Sequence, residues 1–256
     1  MDKIKEGDYV LLYFDNRREW LVKASKEKEF HTHKGMVPIR EVIGKSYGER
    51  IQSALGYDFW LLKPNSSDFL STFKRLTQVI YPKDAGLIIL KLGIGPGKKV
   101  IETGTGSGAL TALMANLVKP DGHIYTYDMN KRFLNSAKKN IHKLKVDNYV
   151  TFKNLDAREG FDEKDADAII LDVADPWSVV PHAYESLKGG CSIASFSPTI
   201  NQVEKTVTAL KENGFISMES IETLLREIHV EEGKTRPLSR MISHTGYLTF
   251  AKKIFV

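Results

Sequence analysis

A glycine-rich stretch and four acids recur along this chain at intervals that could bind a nucleoside and act on a second molecule beside it. In Val100-Ile-Glu-Thr-Gly-Thr-Gly-Ser-Gly-Ala-Leu-Thr111, Gly104, Gly106 and Gly108 alternate with Thr105 and Ser107 between an apolar run and a helix-forming one. Residues without a Cβ permit a sharp turn and let a ligand lie against bare backbone. Taken alone the spacing is ambiguous, because Gly104, Gly106 and Ala109 also satisfy the dinucleotide-binding fingerprint. Glu102 shifts the balance. A carboxylate two residues before the first glycine repels a pyrophosphate but suits a cationic or amino-acid-like ligand.

Asp128 closes the next apolar run, Tyr125-Thr-Tyr-Asp-Met129, about twenty residues past the loop, where an acid can bind both hydroxyls of a ribose. Asp156, in Asn154-Leu-Asp-Ala-Arg158, could accept from an adenine amino group. Ribose, adenine and a positively charged tail together describe S-adenosylmethionine. The plainer reading of Asp128 and Asp156 is that both are solvated acids after strands. Asp172 ends the run Asp167-Ala-Ile-Ile-Leu-Asp172. An acid after a segment apolar on both faces costs solvation unless it is paired or faces a ligand cleft. Asp172 is therefore a candidate catalyst, with a helix cap or an arginine partner as the structural alternatives. Pro176 and Trp177 then stiffen the turn, and the indole offers a face on which a flipped-out base could stack.

These residues need a scaffold that brings strand ends together. Apolar strands at 99–103, 123–128, 149–153, 168–173 and 190–196 alternate with helical segments at 109–118, 131–144, 178–187 and 200–213, and strands at 215–224 and 245–254 follow. That rhythm implies an α/β fold with a parallel, doubly wound, Rossmann-like sheet whose ligands sit at the carboxyl ends of its strands. No helix separates the last two strands, so an antiparallel pair is expected at the C-terminal edge. Before this, Tyr9-Val-Leu-Leu-Tyr-Phe14 and Trp20-Leu-Val-Lys23 flank a turn-like Asp15-Asn-Arg-Arg18, which reads as a hairpin in a small β-rich module. The division is expected at a polar joint, Lys63-Pro-Asn-Ser-Ser-Asp68, giving domains 1–68 and 69–256.

Composition bounds the class. At 256 residues the chain holds at most two domains of roughly 150 residues. Its 42% apolar and 27% charged content is that of a globular protein. Charged residues interrupt every apolar stretch well short of the ~20 residues a membrane span needs. The charged N-terminus does not read as a signal peptide, so a cytosolic protein is expected. The single cysteine, Cys191, excludes an intramolecular disulfide or a Cys-rich metal cage and reads as a buried strand residue. The net charge of +5 is concentrated toward the ends: residues 1–75 carry 14 bases against 11 acids, and residues 226–256 carry 6 against 3. A neutral body with basic ends is compatible with appended parts that touch phosphates.

Several stretches together resemble the TrmI group of tRNA adenine-N1 methyltransferases, above all its archaeal members. They are Arg75-Leu-Thr-Gln-Val-Ile-Tyr-Pro-Lys-Asp84, Glu102-Thr-Gly-Thr-Gly-Ser-Gly108, Leu171-Asp-Val-Ala-Asp-Pro-Trp177 and Ser243-His-Thr-Gly-Tyr-Leu248, with Thr32-His-Lys-Gly35 in the β module. The resemblance implies S-adenosylmethionine as donor, a homotetramer, and methylation of N1 of adenine 58 in the tRNA T loop, sometimes with adenine 57. Carried over by motif, Asp172 matches the catalytic aspartate and borders the donor. Glu102, Gly104, Thr105, Gly106, Ser107, Gly108, Asp128 and Asp156 match the donor site, and Tyr81 matches a tyrosine near the target base. The acid after the second strand is often Glu in the group; here it is the shorter Asp128.

Arg236, Arg240 and His244 precede the last strand, where substrate phosphates would dock, and with Trp177 they are the expected RNA contacts. His31 and His33 stand at strand-alternating spacing without a third ligand nearby, so no metal is expected. Two other readings remain at this stage. One is a methyltransferase of the same fold acting on an isoaspartyl protein or a small molecule. The other is a noncatalytic RNA-binding subunit, which should have lost either the loop or the acid.

Overall fold

The apolar runs that alternate with helices assemble into one seven-stranded sheet. The computed structural model describes residues 2–74 and 76–255; Met1, Val256 and Arg75, which opens the first motif quoted above, lie outside the described residues. The chain divides into two compact units after Phe73 rather than after residue 68. The reason is a helix at the joint, α1 (Ser66–Ser71), capped by Asn65, which accepts from the Ser67 and Asp68 amides. Phe69 of that helix meets the Tyr9 ring edge-on at 5.1 Å, which holds α1 on the first unit.

The first unit contains β1 (Tyr9–Asp15), β2 (Arg18–Lys23), β3 (Phe30–Thr32), β4 (Gly35–Val37), β5 (Arg50–Gln52) and β6 (Asp58–Leu62). An antiparallel sheet of order β2-β1-β6-β5 includes the expected hairpin, and β3 and β4 pair separately. Its core gathers Val10, Leu12, Val37, Val42, Phe59 and Leu61. His31 lies beside Glu29 and His33 accepts from Arg18, both ordinary surface pairings.

The second unit opens with α2 (Pro82–Leu92) and continues through β7 (Lys99–Thr103), α3 (Ala109–Leu117), β8 (His123–Tyr127), α4 (Lys131–Lys143), β9 (Val150–Lys153), β10 (Ala166–Leu171), α5 (Pro176–Ser186), β11 (Leu187–Ser197), α6 (Ile200–Glu212) and β12 (Phe215–Glu222). A short hairpin, β13 (Ile228–His229) and β14 (Arg236–Pro237), precedes β15 (Tyr247–Lys253). The sheet order is β12-β15-β11-β10-β7-β8-β9, with β15 antiparallel to both neighbours and the other pairs parallel. β15 is thus an inner strand and β12 the edge. Burial explains the order: Leu248, Thr249, Phe250 and Ala251 are all buried, as an inner strand requires, whereas most of β12 is exposed. Cys191 is half-buried on β11. Among the described residues, no helix is long and apolar enough to cross a membrane.

The direction in which the sheet is wound reverses at β7, whose parallel neighbours β8 and β10 lie on opposite sides. A crevice opens outside the carboxyl ends of strands at such a switch point, and the candidate site lies there.

Candidate active site

The turn from β7 into α3 is built by glycine. Gly104, Gly106 and Gly108 have φ of 79°, 53° and 76°, a left-handed backbone that residues with a Cβ rarely adopt. Gly108 is also where helices meet, since a Cβ there would fall 2.9 Å from the Cβ of Ala137 on α4. The loop forms one wall of a cleft of about 590 Å³, a size that accommodates a nucleoside with a tail. Glu102, Asp128, Asp156 and Asp172 line the same cleft.

Glu102, only 2% exposed, is held by two hydroxyls: Thr111 and Thr126 donate to one carboxylate oxygen at 2.5 and 2.6 Å. Because Thr126 Oγ1 spends its proton on Glu102, Thr105 must donate to it across 2.6 Å, and this chain of hydroxyls braces the loop from below. Burial pushes the Glu102 pKa up to about 7 against the opposing effect of those hydroxyls, with the charges of Asp172 and Asp128 adding to the rise. Asp128 accepts from the Gly106 amide at 3.1 Å and the Asn130 amide at 2.8 Å. Its short side chain is therefore drawn onto the loop, leaving lone pairs of both oxygens for hydroxyl donors. Asp172 begins where β10 stops, its amide donating to the Thr103 carbonyl at 3.1 Å. Its carboxylate has no hydrogen-bond or ion-pair partner among the described residues, so neither structural alternative applies. Loss of solvation, followed by the charge of Asp128, pushes its pKa up to about 7.

Asp156 has a partner that sequence did not announce. It caps a short turn and takes the Arg158 amide at 2.9 Å and the Arg158 guanidinium at 2.7 Å, which holds its carboxyl below the usual range. Arg158, itself in the cleft wall, also reaches Asp175 at 3.4 Å. Met129 and Leu155, 62% and 44% exposed, line the cleft next to Asp128 and Asp156, where they could sandwich a planar base. Each adjoins a predicted acid, the one sequence signal that could have found them. Thr77 also lines the cleft, and its hydroxyl is buried without a partner among the described residues. A buried polar atom lacking a hydrogen bond among the described residues, a cradle without Cβ atoms and the acids Glu102, Asp128 and Asp172 together fit an adenosine carrying a cationic tail. Glu102, Asp128 and the glycine loop would hold S-adenosylmethionine there.

Five of the expected residues lie outside this cleft. Trp177 sits in the first turn of α5 behind Pro176, not in a loop, and does not line the cleft; the Lys205 ammonium stands 4.7 Å from its ring centroid. His244 has both ring nitrogens engaged, with the Glu222 carboxylate at 2.6 Å and the Pro198 carbonyl at 3.0 Å. Two acceptors fix it as an imidazolium with a raised pKa, spent on the fold rather than free for a phosphate. Arg236 is exposed on β14 and points to its own hairpin, donating to the Ser239 hydroxyl at 3.3 Å. Tyr81, the N-cap of α2, lines a second cavity together with Arg240.

The family model described as the tRNA methyltransferase complex GCD14 subunit matches residues 59–235. The tRNA (adenine(57)-N(1)/adenine(58)-N(1))-methyltransferase TrmI of Methanocaldococcus jannaschii is 37% identical, with 95% of this chain and 94% of that protein covered. The catalytic subunit TRM61 of the Candida albicans tRNA (adenine(58)-N(1))-methyltransferase is 34% identical, covering 98% of this chain and 77% of that one. Among solved structures, the tRNA (m1A58) methyltransferase TrmI of Aquifex aeolicus aligns with a TM-score of 0.85 at 33% identity, each chain covered in full. A Thermotoga maritima structure described as a SAM-dependent O-methyltransferase aligns at 0.93 and 40% identity, covering 100% of this chain and 96% of that one. With the family model matching well over half its length and a relative this similar along nearly all of it, the chain belongs to the tRNA methyltransferase complex GCD14 subunit family.

Proposed function

We propose that this chain methylates N1 of an adenine in the T loop of tRNA, at position 58 and with the adjoining position 57 as a second target, using S-adenosylmethionine. The observation that carries the reading is Asp172: an unpartnered carboxylate at the carboxyl end of β10, in the same cleft as Glu102 and Asp128. Bound there, S-adenosylmethionine supplies an electrophilic methyl group. Adenine N1 has a free lone pair only when unpaired, so the base must leave its stack before Asp172 can meet it. N1 carries no proton to remove, but methylation spreads positive charge over N1 and N6. Asp172 accepting from the N6 amino group orients the ring and opposes that growing charge, and it can afterwards take the N6 proton. Glu102 and Asp128 hold the donor side of the cleft, while Thr105, Thr111 and Thr126 keep the Glu102 carboxylate in place.

Asp172→Ala should lower the single-turnover rate by about 10²-fold or more while donor affinity stays within a few fold. Digestion of tRNA labelled by the native protein should yield 1-methyladenosine. A 2′-O-methylated nucleoside would favour the chemistry named for the Thermotoga structure, and 6-methyladenosine or an unlabelled tRNA would overturn the assignment. A homotetramer acting in the cytosol is part of the same reading, and light scattering of the purified protein tests the assembly.

A further inference from the structure

Asn140 is out of keeping with the face of α4 on which it lies. The helix buries Leu134, Ala137, Asn140 and Ile141 along one stripe, and an amide there, 2% exposed, costs both solvation and helix propensity relative to alanine. Its side chain is directed entirely at backbone. Oδ1 accepts from the Lys74 amide at 3.2 Å, while Nδ2 donates to the Lys74 carbonyl at 3.3 Å and to the Ser107 carbonyl at 2.9 Å.

Glycine brings the amide within reach. Gly108 is the N-cap of α3 and has no side chain with which to cap it. A Cβ there would meet Ala137 at 2.9 Å and Ile141 at 3.1 Å, so α4 lies hard against the loop, and Asn140, on the same face as those two residues, reaches Ser107. Both backbone partners lead into the donor cleft. Ser107 lines it with Thr105 and Gly106, and three residues beyond Lys74 the strip Thr77, Gln78, Val79 and Ile80 lines it as well. Strip and loop also approach each other directly, since a Cβ on Gly106 would lie 2.8 Å from the Thr77 hydroxyl. Asn140 itself is absent from the cleft wall, yet its one amide joins two parts of that wall.

Resting on the donor reading above, we propose that Asn140 is a positioning residue for S-adenosylmethionine. It fixes the spacing between the glycine loop and the 77–80 strip, so that both meet the donor together. Asp172 stands at the end of β10, to which Asn140 makes no hydrogen bond among the described residues. Loss of the amide therefore weakens donor binding and spares the transfer step.

Two variants and a donor-side probe test this. Asn140→Ser adds no charge but is too short to serve both partners. It should raise donor Kd and donor KM about tenfold, and leave the single-turnover rate at saturating donor within about threefold of native. Asn140→Asp is nearly isosteric: protonated it keeps one donor, ionised it has none and faces two carbonyls. Its donor Kd relative to native should climb between about pH 5 and pH 8, whereas the ratio for Asn140→Ser stays flat. S-adenosylhomocysteine should slow amide exchange at 77–80 and at 104–107 in the native protein, and Asn140→Ser should lose that protection in both segments. A lower thermal midpoint with native donor Kd and native protection would give Asn140 a structural role only and overturn the proposal. So would protection lost in one segment and kept in the other. A native protein that does not bind S-adenosylhomocysteine defeats the donor reading itself, whereas binding insensitive to both variants defeats only the role of Asn140.

Discussion

A Cβ on Gly104 would lie 1.8 Å from the backbone carbonyl oxygen of Asp172. The first glycine of the donor loop and the candidate catalytic acid are therefore one piece of packing, with the ends of β7 and β10 pressed together where the cleft begins. Moving either backbone moves the other.

Gly104→Ala should therefore damage both functions at once. The obstacle is backbone, which cannot rotate away, and the left-handed φ of 79° adds a cost of about 1–2 kcal/mol. We expect donor affinity and methyl-transfer rate each to fall at least tenfold, with a lower thermal midpoint. Gly106→Ala meets only the Thr77 hydroxyl, at 2.8 Å, which can turn aside. It should be the milder variant by calorimetry and single-turnover kinetics; equal damage from the two would contradict the packing argument.

Burial pushes the carboxyls of Glu102 and Asp172 up to about 7. For carboxyls raised this way the folded state holds extra protons. Their contribution to stability is fully present below the ordinary carboxylate range and is lost as pH rises through about 7. A cationic ligand favours the ionised forms, so donor affinity should climb across pH 6–8 and binding at pH 7 should release protons. Calorimetry in buffers of different ionisation enthalpy reads the sign, and proton uptake would refute it. Glu102→Gln removes one of these groups, so its thermal midpoint relative to the native protein should improve steadily from pH 5 to pH 8.

Salt dependence distinguishes the basic residues near the last strand. Arg236→Ala and Arg240→Ala should each reduce the slope of log KM for tRNA against log salt by up to about 1, if each meets one phosphate. His244→Gln should leave that slope unchanged, because the imidazolium is held by Glu222 and Pro198. A lowered slope for His244→Gln would place it on the RNA after all.

Much of the donor side was legible because its determinants are local. Positive φ at alternate positions requires glycine, so the loop announces itself, and apolar runs ending in acids mark strand tips at Asp128 and Asp172. The resemblance of the motifs added the acceptor, which no local rule supplies. Trp177 and His244 were assigned from their neighbours in sequence and Tyr81 from the resemblance of its motif, and around each the fold brings a group or a wall contributed from elsewhere. Lys205 comes to Trp177 from α6, Glu222 to His244 from β12, and Arg240 to Tyr81 across the second cavity.

Sequence alone determined the alternation of strands and helices from β7 to α6, the glycine turn and the acids at the strand ends, since backbone sterics and hydrophobic periodicity act over a few residues. Tertiary structure alone decided that β15 runs inside β12, that Lys83 binds Thr223 and Thr245, and that Asp156 is shared with Arg158 while Asp172 is left free. Those outcomes depend on which distant groups compete for each strand edge and each charge, and burial settles that competition only once the whole chain has packed.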